Sequence, residues 1–441
     1  MVARYERIAE RYAQRIHGGL LAPGERLPSL RLLCEKEGVS LMTALAAYRR
    51  LEALRLVEAA PRSGFKVSLS VSPKLDRPAI RRARLVHDRS PREAILAQAL
   101  AAAADPALAP LGLASPDPAH FPLASLRRIT GRLLAARPEI WGTYSLPPGH
   151  PELRGLIARR LSARGLRVGP DNILITGGAM EALSLSIRCA ARSPALVAVE
   201  CPTYFGILDA IRSAGADVLE LPGDPEHGVD PARLDDACRR HRVSAAVLMA
   251  CFANPTGSRM SEEHKAALAS VLERHRVALV EDDLYSELAF DGRAPSPLAS
   301  HIGARAKAPW FLAGSFSKTL LPAGRVGYLV ADAAFVEQAM VHKRMTTLAN
   351  PTLPELLATE CLATGVYDRH LRRMIPRLRQ QMRLLEHAVA SHFPAGTKAS
   401  RPAGGFMSWV ELPRGADGER LFWSARDAGI SIIPGSVFSL S

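Results

Sequence analysis

Apolar residues recur along this 441-residue chain with two different periods, and the change of period divides it. Near the N-terminus Tyr5, Ile8, Ala9, Tyr12 and Ile16 keep a helical rhythm, which predicts a first helix stopped at Gly18-Gly19. Beyond Pro23-Gly24, Ser29 is placed to cap a second helix running to about Lys36, with Gly38 as its stop. Ser40 is placed to cap a third, in which Ala44, Tyr48 and Leu51 face inward while Met42, Thr43, Ala46 and Arg49 point elsewhere. Val57-Glu58-Ala59 and Phe65-Lys66-Val67 flank Pro61-Arg62-Ser63-Gly64, the pattern of a hairpin with an arginine and a glycine at its tip. Residues 68 to about 92 keep neither period and contain Pro73, Pro78, Pro91 and Arg81-Arg82-Ala83-Arg84, so a basic linker is expected at 71–92. From Ile173 onward, short apolar runs at 173–176, 196–199, 218–221, 245–250, 277–280, 310–313 and 326–330 alternate with amphipathic stretches such as 180–189 and 262–275. That alternation predicts a largely parallel sheet covered on both faces.

Composition narrows the class. With 48% hydrophobic and 23% charged residues, wholesale disorder, collagen and long coiled coils are excluded. The longest unbroken apolar run, 245–253, is about half of what a bilayer span needs, and the N-terminus opens on Arg4, Glu6 and Arg7 instead of a signal core. No membrane partner is expected. Six scattered cysteines without a C-x-x-C pair suit a reducing, cytoplasmic setting, as buried thiols and without a metal site. The net charge of +14 is uneven: residues 1–90 hold 18 Lys and Arg against 9 Asp and Glu. A basic terminal module is either a phosphate-contacting surface or a solvated basic face. Only 8 of the 57 basic residues are lysines, so a lysine inside a glycine- and serine-rich turn stands out.

Two short helices separated by three or four residues, followed by a hairpin, have the arithmetic of a winged helix-turn-helix. Pro23-Gly24-Glu25-Arg26-Leu27-Pro28-Ser29-Leu30-Arg31, Gly38-Val39-Ser40, Thr43, Leu51-Glu52 and Ser63-Gly64 together resemble the winged-helix domain of GntR-type bacterial regulators. The resemblance implies a DNA-binding domain over 1–70, with Arg31, Ser40, Met42, Thr43, Arg62 and Gly64 at a double-stranded DNA operator. For Arg31 the alternative is a plain surface position, and for Gly64 a plain turn glycine. Where many relatives place arginines in the recognition helix this chain has Leu41 and Leu45, so apolar contact, such as with thymine methyls, is expected there.

Ligands of open α/β sheets sit beyond the carboxyl ends of strands. Those ends here carry Gly177-Gly178-Ala179, Cys201-Pro202-Thr203-Tyr204, Asn254-Pro255-Thr256-Gly257, Glu281-Asp282-Asp283-Leu284-Tyr285 and Gly314-Ser315-Phe316-Ser317-Lys318. A lysine amine condenses with an aldehyde, a carboxylate keeps a pyridine nitrogen protonated, an aromatic ring stacks on it, and amides, hydroxyls and an arginine take a phosphate. The inventory describes pyridoxal 5'-phosphate. Ser315-x-x-Lys318 also fits the S-x-x-K of penicillin-recognising enzymes, but neither S-D-N nor K-T-G occurs, and no P-loop, G-x-G-x-x-G or H-E-x-x-H is present.

These residues resemble the class I and II aminotransferases of fold-type I, over 93–441. The resemblance implies Lys318 as the cofactor-capturing lysine, Asp282 on the ring nitrogen, Tyr285 and Asn254 on the ring hydroxyl, and Tyr204 stacked on the ring. It further implies Gly178, Ala179 and Met180 as phosphate-binding amides completed by Ser315 and Arg325, and Tyr144 as the tyrosine that reaches a partner subunit's phosphate, hence a homodimer. Lys318, Asp282 and Tyr285 would be the catalytic set. The carboxylate-gripping arginine of such enzymes lies downstream of a segment like Gly429-Ile430-Ser431-Ile432-Ile433-Pro434-Gly435-Ser436, whereas this sequence stops at Ser441, so a truncated C-terminal end is expected.

A winged helix upstream of such a body resembles the MocR subgroup of GntR regulators. Its Asp282-Asp283-Leu284-Tyr285 departs from the Asp-Asp-Tyr of many members. The combination implies a pyridoxal phosphate-binding transcriptional regulator of amino-acid or vitamin B6 related metabolism, sensing a small amino compound. The alternative is a working aminotransferase, of 2-aminoadipate or broad specificity, carrying a DNA-binding module.

Overall fold

A computed structural model describes residues 3–17, 20–21, 23–60, 64–68, 84–86, 92–112, 114–191, 195–303 and 307–440. Arg62 and the expected linker segments 69–83 and 87–91 lie outside the described residues. The chain divides into two compact units: Met1–Arg77 with Arg377–Ala399 and Val410–Pro413, and Pro78–Pro376 with Ser400–Trp409 and Arg414–Ser441.

In the first unit, α1 (Arg4–His17), α2 (Leu30–Glu37) and α3 (Leu41–Ala53) precede the hairpin β1 (Val57–Ala60) and β2 (Gly64–Val67). Local chemistry sets each boundary. Ser29 Oγ accepts from the Leu32 amide at 3.2 Å and Ser40 Oγ from the Thr43 amide at 3.2 Å, while Gly38 ends α2 in the left-handed region at φ 58°. The hairpin pairs antiparallel from Val57↔Val67 to Ala60↔Gly64. Ile8, Tyr12, Leu33, Ala44, Ala47, Tyr48 and Leu51 bury a common core, in which Tyr48 lies edge-on to Tyr12 and Phe65 and donates to the Pro28 carbonyl at 2.9 Å.

The second unit is built on a nine-stranded sheet. Its strands are β3 (Arg84–Val86), β5 (Ile173–Thr176), β6 (Ala195–Cys201), β7 (Ala216–Asp224), β8 (Gly228–Val229), β9 (Val243–Leu248), β10 (Ala278–Asp282), β11 (Trp310–Ser315) and β12 (Gly327–Ala331). The order is β3-β7-β6-β9-β10-β11-β12-β5, with β8 beside β7. Each of the seven strands expected from the apolar runs is present. Six strands run in one direction, and β12, β3 and β8 run against them. β3 is a correction, since it falls inside the expected 71–92 linker; three residues are too few to display a period.

Helices α4 (Arg92–Ala104), α5 (Leu123–Ala136), α6 (Pro151–Ala163), α7 (Ala179–Ala190), α8 (Phe205–Ser213), α9 (Pro231–Arg240), α10 (Glu262–His275), α11 (Ala333–Arg344), α12 (Thr352–Ala363), α13 (Val366–His392) and α14 (Gly418–Asp427) accompany the chain. Two short pairs, β13 (Lys398–Ala399) with β14 (Val410–Glu411) and β15 (Ile430–Ser431) with β4 (Ala109–Pro110), complete the strands. α7 and α8 pack on the sheet through Leu183, Ile187, Ile207 and Ile211, all essentially dry. Cys34 on α2 and Cys238 on α9 are partly exposed and not the buried thiols expected, because each helix turns one face to water. Among the described residues no helix is long and apolar enough to cross a membrane.

Removing the fully buried Leu51 side chain should leave a cavity between α1 and α3. Leu51→Ala is expected to cost about 2–5 kcal/mol, read as a fall of that size in the opening free energy of α1 and α3 amides by hydrogen exchange.

Candidate cofactor site and nucleic-acid interface

The end of β10 places three carboxylates in succession, and period-two alternation sends Glu281 and Asp283 to one side and Asp282 to the other. Glu281 accepts the Leu298 and Ala299 amides, each at 2.8 Å. Asp283 holds a two-bond ion pair with Arg164, at 2.5 and 2.8 Å, and its side chain is fully buried. Asp282 is less fully served: it accepts the Leu284 amide, but among the described residues its buried Oδ1 makes no hydrogen bond. Burial, with Asp283 beside it, pushes the Asp282 carboxyl up to about 7, against the pull of the Leu284 amide and Lys318.

Around that carboxylate the strand ends converge. Tyr285 is buried and interacts with Asp282, Tyr204 and the Asn254 side chain; burial first and Asp282 second push its phenol well up. Tyr204 lies at the N-terminus of α8, where a side chain at Gly206 would strike the Tyr204 ring at 2.6 Å and Met180 Sδ at 3.0 Å. Lys318 donates to the Ala114 carbonyl. Burial and the neighbouring Arg325 pull its amine down to about 8, while Asp282 opposes them.

A second cluster forms where β5 meets α7. Gly178 caps α7 at φ 105°, and a Cβ there would collide with the Arg325 guanidinium. Arg325 donates to the Gly177 carbonyl at 3.0 Å and to Ser317 Oγ at 3.2 Å. Ser315 Oγ bonds Ser317 Oγ at 2.9 Å and accepts the Ser317 amide at 3.1 Å. With the Ala179 and Met180 amides opening α7, these groups make a cationic cup at a helix N-terminus, suited to a phosphate.

The donor set fits pyridoxal phosphate. A buried carboxylate with one orphaned oxygen suits a protonated ring nitrogen, a lysine of lowered basicity stands beside it, and the glycines at 178 and 206 leave room for the Arg325 guanidinium and the Tyr204 ring. When bound, that cofactor supplies an electron-withdrawing aromatic aldehyde. Asp282 would hold the proton on the ring nitrogen, Tyr285 and Asn254 would orient the ring hydroxyl, Tyr204 would cover one ring face, and the cup would fix the phosphate.

Tyr144 stands apart from this cluster at 77% exposure. In the winged helix, Arg31 is exposed on α2, Met42 at the start of α3 is 73% exposed, and Thr43 Oγ1 pairs with Ser40 Oγ at 2.9 Å. Gly64 opens β2 at φ 82° with open space where a side chain would go.

Four contributors are not marked by the sequence alone. Arg164 neutralises Asp283 across 119 residues. Phe406 lies edge-on to Tyr285 at 5.5 Å, and Gly404 accepts the Phe252 ring where a Cβ would clash. Gly404-Gly405-Phe406 was the available signal, a glycine pair beside an aromatic. Lys343 reaches Glu181 in the first turn of α7, and nothing in its local sequence marks it.

Together the exposed helix-turn-helix and the strand-end cup define a DNA-binding protein with an aminotransferase-like cofactor domain. Comparison with known proteins agrees: residues 111–441 match the aminotransferase class I and II family and residues 4–67 the gntR family of bacterial regulatory proteins. The chain is 34% identical to the uncharacterized HTH-type transcriptional regulator YdcR of Escherichia coli over 99% of its own length and 92% of that protein. It is 31% identical to the 2-aminoadipate transaminase of Thermus thermophilus, over 73% of this chain and 80% of that one. The structure of LysN, the α-aminoadipate aminotransferase of Thermus thermophilus complexed with N-(5'-phosphopyridoxyl)-L-leucine, superposes with a TM-score of 0.72 at 28% identity, covering 78% of this chain and 86% of that one. The chain belongs to the GntR-family regulators of MocR architecture, and its cofactor is pyridoxal phosphate.

Only a neutral amine attacks an aldehyde, so the rate of cofactor capture should climb as pH rises through about 8 and level off above it. Stopped-flow absorbance checks this, and Lys318→Ala should abolish the visible band. Arg164→Leu strands Asp283 as a buried charge and is expected to cost about 3–5 kcal/mol in denaturant unfolding of the apo-protein.

Proposed function

We propose that the chain is a cytoplasmic, homodimeric transcriptional regulator of amino-acid or vitamin B6 related metabolism. Residues 1–70 bind a double-stranded operator, and the body from 93 onward, to whose sheet 84–86 adds the edge strand β3, holds pyridoxal phosphate and senses a small amino compound. The observation that carries the reading is the pairing, in one chain, of a cationic strand-end cup with a helix whose capped N-terminus is presented to solvent.

Several features support the details. Helix α3 opens with Leu41 and Met42, 55% and 73% exposed, and its basic residues Arg49 and Arg50 come only near its end. Such a first turn suits thymine methyls, leaving Arg31 as the guanidinium for a guanine edge or a phosphate. Tyr144 lies in an exposed apolar strip with Trp141 and Leu146, 75% and 58% exposed, which suits burial against a second copy. Lys318, Asp282 and Tyr285 are the groups through which an amino compound would exchange with the cofactor, altering the dimer's arrangement on DNA.

Arg31→Ala should weaken operator binding by about 1–3 kcal/mol in electrophoretic or anisotropy titrations while leaving the visible cofactor band intact. Log affinity of the wild type should fall linearly with log salt. Multiple-turnover amino transfer to a keto acid, with no sequence-selective DNA binding, would overturn the regulator reading.

A further inference from the structure

The phosphate cup contains an awkward neighbour. Glu181, in the first turn of α7, folds back so that Oε2 accepts the Gly177 amide at 2.5 Å, which puts a carboxylate beside the helix end whose next amides face the phosphate. Alone, such a charge would repel a phosphate dianion and cancel much of the attraction of the α7 terminus and Arg325.

Lys343, from the last turn of α11, answers it. Its side chain is fully buried, an unusual state for a lysine. Its ammonium meets Glu181 Oε1 and Oε2 at 3.0 and 2.9 Å, Thr347 Oγ1 at 2.9 Å and Asn350 Oδ1 at 2.9 Å, while Thr347 also donates to Glu181. Among the described residues it is the one cation bonded to Glu181. The contacts continue outward: Asn350 Nδ2 donates to Glu355 Oε1 at 2.8 Å, and Glu355 Oε2 accepts Ser145 Oγ at 2.7 Å and the His150 amide at 2.9 Å. Ser145 follows Tyr144, and its carbonyl accepts the Asn350 amide at 3.1 Å.

We propose that Lys343 is a positioning residue for the cofactor phosphate: it cancels the charge of Glu181 beside the cup and ties that helix end, through Asn350 and Glu355, to the segment carrying Tyr144. In this role it acts through Glu181, to which its ammonium is bonded. The inference rests on the cofactor reading given above and adds a phosphate-specific determinant to it.

The test separates charge from architecture by comparing cofactors with and without phosphate. Apo-protein is titrated with pyridoxal phosphate and, separately, with pyridoxal, following the visible band. Lys343→Met should weaken pyridoxal phosphate by about tenfold to a hundredfold and change pyridoxal less than threefold. The double variant Glu181→Gln/Lys343→Met, which removes the stranded charge, should recover most of the loss. Glu181→Gln alone should bind pyridoxal phosphate as tightly as wild type or tighter, which keeps the idea testable even where Lys343→Met folds poorly. Equal weakening of both ligands, no recovery in the double variant, or weaker pyridoxal phosphate binding by Glu181→Gln overturns the proposal. Wild-type protein that takes up neither ligand overturns the cofactor reading and this inference with it, whereas normal wild-type uptake with a phosphate-independent Lys343 effect overturns this inference alone.

Discussion

Burying three consecutive carboxylates at the end of β10 is the constraint on which the site depends. An ionised carboxylate removed from water without partners is among the costliest groups a fold can contain. Alternation along the strand lets the protein treat the three differently: two amides for Glu281, a guanidinium for Asp283, and no hydrogen bond to Oδ1 of Asp282 among the described residues. Since Arg164 and the 298–299 turn satisfy the outer pair, the middle carboxylate alone carries an unmet demand, and it faces the crevice where Tyr285, Tyr204 and Lys318 meet. The cofactor's ring nitrogen is the natural answer to that demand. The environment that makes Asp282 costly in the empty protein is thus what makes it selective for a protonated heterocycle.

The phosphate end follows an opposite logic. There the protein concentrates positive character from a helix terminus and Arg325, and glycines at 178 and 327 let two backbones come together. Ring recognition rests on an acid with one oxygen unserved and phosphate recognition on a surplus of donors. Both sets emerge from strand ends of one sheet, because six strands share a direction and so deliver their following loops to one side.

What the sequence disclosed, and what it withheld, divides along the range of the interactions. Helix starts at Ser29 and Ser40, the stop at Gly38 and the strands of the central sheet are written in neighbouring residues, so they could be read directly. The strand-end motifs were legible for the same reason, as short strings of unusual chemistry at predictable places. Arg164 and Lys343 were not, since each is defined by a partner more than a hundred positions away and sits in an ordinary amphipathic helix or just beyond one. The three-residue strand β3 was hidden by its brevity, and the partly exposed Cys34 and Cys238 by the fact that cysteine composition says nothing about helix orientation. Tyr285, three positions after Asp282, sits beside Asn254 and Asp282, because the turn after β10 places it there.

The antiparallel strand β12 has a consequence for how the molecule assembles. It threads between β11 and β5, which are separated in sequence by well over a hundred residues, and its Gly327 presses so closely on Gly178 that a methyl group would lie 2.6 Å from that glycine's Cα. The two sides of the cup, at Gly178 and Arg325, come together only where β12 pairs with the distant β5, and pairings between such distant segments are slow to form. The yellow colour of captured vitamer should therefore be among the last signals to appear during refolding, a natural indicator that the whole sheet has closed.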